Sequence, residues 1–171
     1  MDSVSSNDCY AEGEPQHSGD ICVIRSGNTE EAFNYVRCSI PSDATFVSIS
    51  RIFPERIMDM LSFPNSRYYW LTNMVGEFRI APASLGKIVS MLRFLSETEK
   101  RLAILLDGVE YLIAENDFNA VHRFLNQLSD VAISSGSSLF IIVDPAAMNA
   151  RELALIERTT CARSVSFQSE I

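Results

Sequence analysis

Long apolar runs are missing from this 171-residue sequence. Nothing in it approaches the roughly 18 unbroken apolar residues a membrane-spanning helix needs, so no membrane association is expected. The opening segment, MDSVSSNDCYAEGEPQHSGD, lacks the basic start and apolar run of a secretion signal. Positive charge is also scarce: 14 Lys and Arg face 22 Asp and Glu, a formal net charge of −8, and no local basic cluster offsets it. An acidic surface repels phosphate backbones, which argues against nucleic-acid binding. Cysteine pairs of the C-x-x-C type are absent; Cys9, Cys22, Cys38 and Cys161 are scattered, and His17 and His122 lie far from each other. That spacing does not suit zinc, so no metal or other cofactor is expected, and the thiols read as reduced in a cytoplasmic protein.

What is present is an ordinary globular composition, 47% hydrophobic and 21% charged. Residues 1–19 are polar and acidic and read as a disordered tail, leaving a single α/β domain over residues 20–168. Short β-like runs alternate with helical patterns along that domain. DICVIRS (20–26) is a strand, and Asn28 with Glu31 gives a capping-box-like start to a helix over 29–39. ATFVSIS (44–50) is a second strand. Pro54 opens a short helix, PERIMDML, where its missing N–H costs nothing. RYYWLT (67–72) is a third strand, with Trp70 and Tyr68 on one face and Tyr69 and Leu71 on the other. The spacing of Leu85, Ile88, Val89, Leu92 and Leu95 predicts the next helix.

LAILLD (102–107) is continuously apolar, as a central parallel strand covered on both faces should be. A long helix follows from Asp117, its apolar stripe formed by Phe118, Val121, Leu125, Leu128 and Ala132, and Gly136 ends it. SLFIIVD (138–144) is another buried strand. Asp144 and Pro145 then open a helix predicted to reach about residue 158, and RSVSF closes the domain as an edge strand. The alternation predicts a three-layer α/β/α fold with a mostly parallel sheet and right-handed crossovers, RecA-like or Rossmann-like.

Residues 101–144 resemble the segment of RecA-like and KaiC-like ATPases in which a strand ending in a metal-ordering carboxylate is followed by a long helix and another buried strand. In that resemblance Asp107 is the one candidate metal carboxylate, and Glu110 lies where a water-polarising group could reach. Carboxyl ends of parallel strands face the crevice where such folds bind ligands. A phosphate cradle, however, needs a Gly-rich turn, a Lys and a hydroxyl. The turn after the first strand reads RSGNTEEA (25–32), with one glycine, no Gly-Lys-Ser/Thr and two carboxylates. Gly86-Lys87 lies inside a helix. The frame of a nucleotide hydrolase is expected without its cradle.

Four segments carry a closer resemblance: VSISRIFPERI (47–57), YWL (69–71), ILLDGVEYLI (104–113) and VDPAAMNARELALIER (143–158). Together, in this order, they resemble the archaeal family called domain of unknown function 835. Its members often accompany sensory or receiver domains, which implies signalling company and no particular reaction.

Asp107, Glu110, Ser50 and Arg51 are the crevice candidates, either for a ligand or for an internal ion pair. Arg51 is expected to neutralise Asp107 or Glu110, so that the three meet at one edge. The alternative for Asp107 and Glu110 is structural, a capped turn at DGVEYL. Asp144, Arg151 and Glu152 are secondary candidates, with capping and surface pairing preferred for the last two. Trp70 is expected to be a helix-covered core aromatic rather than a base-stacking platform, and His122 partly exposed and idle. The function expected is a non-catalytic module acting through protein partners, signalling proteins among them. The alternative is a nucleotide- or metal-binding enzyme with a divergent phosphate site, and a third reading is self-association as a homodimer.

Overall fold

The computed structural model describes residues 19–167; the expected tail lies outside the described residues except for Gly19. Seven strands form one sheet: β1 (Ile21–Arg25), β2 (Thr45–Ser50), β3 (Ser66–Leu71), β4 (Arg79–Ile80), β5 (Leu102–Asp107), β6 (Ser138–Val143) and β7 (Arg163–Ser166). Their order is β4-β3-β2-β5-β6-β1-β7, and every pairing is parallel. The centre is β5, whose first five residues are buried, flanked by the buried β2 and β6. Continuous apolar runs are what a sheet covered on both faces requires.

Two helices, α1 (Thr29–Ser39) and α2 (Pro54–Met60), cover one face. There Phe33, Val36, Ile57 and Leu61 pack on Ile24, Phe46, Leu105 and Phe140. On the other face lie α3 (Leu85–Thr98), α4 (Val109–Glu115), α5 (Phe118–Ser135) and α6 (Ala150–Thr159). Leu92, Leu112, Leu125 and Ile156 pack there on Val23, Ile49, Ile104 and Ile141. Alternate residues of each strand thus feed opposite cores, and each buried Leu, Ile or Phe contributes about 1.5–3 kcal/mol. This is the expected three-layer α/β/α arrangement.

The helical connections that run toward β4, α1 and α2, lie on one face, whereas those that run back, toward β7, lie on the other. Reversing direction and face together keeps one hand of crossover throughout. Two neighbouring pairs therefore part company at their carboxyl ends. β1 leaves toward α1 while β6 leaves toward α6, and β2 leaves toward α2 while β5 leaves toward α4. Such divergences open a crevice.

The predicted α1 boundaries hold, with Asn28 Oδ1 accepting from Glu30 N at 3.1 Å and Glu31 N at 3.3 Å. Asp117 and Gly136 bound α5 as expected, Gly136 at φ +69. Three features differ. The helix expected from Pro145 is broken into a single 3-10 turn (Pro145–Ala147) and α6, because Asn149 supplies its own capping box with Glu152. The turn at DGVEYL is a helix, α4. Trp70 is only half-buried, since β4 is too short to shelter the end of β3. Among the described residues Cys22 and Cys161 are free thiols.

Candidate functional site

The crevice between β1, β6 and β5 holds a cavity of about 180 Å³. Its polar lining is Ser26, Gly27, Thr29, Asp107, Glu110 and Asp144, with no Lys or Arg among the lining residues. The turn from β1 into α1 closes on itself. Ser26 N donates to Val143 O at 2.9 Å, and Asn28 N donates to Ser26 Oγ at 3.0 Å. Glu30 N and Glu31 N are taken by Asn28 Oδ1. The Ser26 hydroxyl lies 2.9 Å from Asn28 O and 3.2 Å from Glu31 Oε2. Four of the N–H groups at this helix start, those of Ser26, Asn28, Glu30 and Glu31, are thus already satisfied, while those of Gly27 and Thr29 take no acceptor among the described hydrogen bonds. Gly27 lies beside Asp144, where a Cβ would be in ordinary contact with the carboxylate, 3.4 Å from Asp144 Oδ1.

Asp107 ends β5 against Ser50 of β2, whose hydroxyl donates to Asp107 Oδ2 at 2.9 Å. Burial raises its pKa from 3.8 to about 6; the Ser50 hydrogen bond opposes the rise and the Glu110 charge adds to it. No cation offsets that burial. Glu110, in the first turn of α4, accepts from Asp144 N at 2.6 Å, and Asp144 Oδ1 accepts from Ala146 N at 2.9 Å. These two carboxylates hold chain termini of other elements. Among the described residues, no three His, Cys, Asp or Glu side chains are grouped as metal ligands would be.

Arg51 departs from expectation. Its backbone N donates to Asp107 O at 3.3 Å, but no ion pair joins its side chain to Asp107 or Glu110. Successive residues of an extended chain point to opposite sides, so Ser50 and Arg51 cannot both turn to Asp107. The guanidinium instead donates to Leu71 O at 2.9 Å and lies 4.8 Å from the Tyr111 ring centre and 5.7 Å from that of Trp70. Trp70 Nε1 donates back to Arg51 O at 3.0 Å. Gly108, at φ +116, lets β5 bend into α4 where a Cβ would lie 3.4 Å from Arg51 N. Only glycine adopts that φ without strain.

The remaining candidates lie outside the crevice lining. Glu152 Oε2 accepts from Asn149 N at 3.2 Å, while Arg151 is exposed. His122 is partly exposed, stacked on Phe118 and 2.6 Å from Thr159 Oγ1. Sequence reading missed Gly27 and Thr29 as lining residues, and it missed Tyr111 beneath Arg51. Only the glycine in RSGNTEEA signalled a close approach.

Residues 26–159 match the family described as Protein of unknown function (DUF835). The chain belongs to that family. A comparison with curated proteins finds no match. In this DUF835 chain the four recognisable segments meet at the carboxyl edge and hold one another. SISR binds LLDG through Ser50–Asp107 and Arg51 N–Asp107 O. YWL binds SISR through Trp70–Arg51 and Leu71–Arg51, and VDP binds DGVE through Asp144 N–Glu110.

Proposed function

We propose that this DUF835 domain is a non-catalytic module that acts through protein contacts, derived from a RecA- or KaiC-like ATPase frame whose phosphate site has been lost. The observation that carries this reading is the closed, acidic β1–α1 turn. The N–H groups of Ser26, Asn28, Glu30 and Glu31 are used internally, and the small cavity beside it presents three carboxylates and no cation. A triphosphate placed there would face Asp107, Glu110 and Asp144 with nothing to neutralise it. Kinship with the ATPase frame is supported by Asp107 ending β5, by the long α5 leading to β6, and by β1 lying beside β6, which sets the β1–α1 turn across the crevice from Asp107. A role beside signalling proteins in a cytoplasmic, archaeal setting follows from the family resemblance.

A thermal-shift panel of ATP, GTP, cyclic dinucleotides, Mg²⁺ and Mn²⁺ tests this. A ligand at a hundred times its Kd adds about 2.7 kcal/mol of stability. No member of the panel is expected to raise Tm, and a rise with Mg²⁺·ATP would contradict the reading. One observation favours the enzyme alternative: a buried carboxylate with a raised pKa in a crevice is what general-acid chemistry requires. Turnover of ATP that is lost in Asp107→Asn would decide for it.

A further inference from the structure

Six of the seven large apolar side chains exposed among the described residues lie between residues 53 and 94: Phe53, Met58, Met74, Val75, Phe78 and Phe94. Charge is skewed in the same place. Residues 51–99 carry six Arg and Lys against five Asp and Glu, while the rest of the chain carries eight against seventeen. The edge of the sheet built from α2, β3, β4 and α3 thus exposes more large apolar side chains and is less acidic than the rest of the protein.

At its middle lies Trp70. The Phe53 ring meets it edge-on at 5.2 Å, and the guanidinium groups of Arg51 and Arg79 lie 5.7 and 5.6 Å from its centre. Neither arginine has a carboxylate partner among the described ion pairs. Arg79 also donates to Val75 O at 3.1 Å, which holds Val75 out at 97% exposure. Gly76 makes room for this: a Cβ there would lie 3.1 Å from Arg79 Cδ. The 72–78 connection is therefore braced on the Trp70 cluster rather than loose. Aromatic and arginine side chains together are the composition of interface centres.

We propose that the Trp70 surface, with Phe53, Val75, Arg51 and Arg79, is a docking site for an acidic segment of a partner protein that carries apolar side chains. The proposal rests on the protein-contact reading above and names its partner's chemistry. Apolar residues of the segment cover Phe53 and Val75, and its carboxylates meet the unpaired guanidinium groups. A second copy of this chain is a poorer occupant, since two such ends brought together oppose like charge.

The test uses the full chain and three fluorescein-labelled probes. These are a short peptide alternating Glu or Asp with Phe, Val and Leu, its counterpart with Lys for each acid, and an oligothymidine single strand. Anisotropy is expected to show saturable binding of the acidic peptide alone. Val75→Asp, at a side chain too exposed to affect folding, is expected to weaken it about tenfold. Ile133→Asp, on α5, should leave it unchanged. Absence of saturable binding, equal binding of the lysine peptide, preference for the oligonucleotide, indifference to Val75→Asp, or light scattering that shows a dimer which Val75→Asp dissociates would each overturn the proposal. Such failure retires this surface only. A nucleotide response in the thermal-shift panel is what would retire the protein-contact reading itself.

Discussion

Asp107 is held where its charge is least welcome, at the end of the central strand with a single hydroxyl donor and two further carboxylates lining the same cavity. Because burial lifts its pKa from 3.8 to about 6, the folded protein binds this proton more tightly than the unfolded chain does. Stability from this residue is full below about pH 4 and is lost as pH rises through about 6, by up to about 3 kcal/mol. Urea denaturation of the wild type against Asp107→Asn across that range measures it. The variant is expected to be the more stable above pH 6 and to lose this part of the slope; identical slopes would contradict the assignment. The residue's position was legible in the sequence, because an aliphatic run ending in a carboxylate marks the carboxyl edge. Its partner was not legible. Arg51 was the nearest cation in the expected crevice, yet the direction of a side chain one residue past a strand end depends on what lies beneath it, here Leu71 O and Tyr111.

At the scale of elements, a single clear start signal, such as a capping side chain at α1 and α5 or the proline at α2, was readable, and an absent or doubled one was not. Asn28 and Asp117 announced α1 and α5 because each accepts from backbone N–H groups two or three residues on. By contrast, α4 starts at Gly108 with no side-chain cap, and the two-residue β4 has no pattern to read. The 145–158 stretch misled because two start signals follow each other. Asp144-Pro145 begins only a 3-10 turn, and the true helix starts at the Asn149–Glu152 box. Asn149→Ala removes the side-chain half of that box, the hydrogen bond from Glu152 N to Asn149 Oδ1, and should cost about 1 kcal/mol. The urea midpoint is expected to fall with an unchanged m-value. Arg51, which touches neither residue among the described hydrogen bonds, should keep its contacts. No change in midpoint would mean that tertiary packing alone fixes where α6 begins.

For the whole molecule, the alternation of strand and helix was enough to predict layers and parallel pairing, since few other arrangements bury a run such as LAILLD on both sides. What alternation leaves open is the order of strands, because β2, β3 and β4 are laid down on one side of β5 before β6 returns to join β1. That order sets the β1–α1 turn across from Asp107 and makes the crevice acidic. The account stands on that crevice being closed to triphosphates. Titration of the ¹⁵N-labelled full chain with Mg²⁺·ATP, followed through the backbone amides of residues 26–31, tests it most directly. The account predicts no saturable shift at these amides up to millimolar nucleotide; saturable shifts centred on Ser26 to Glu31 would contradict it.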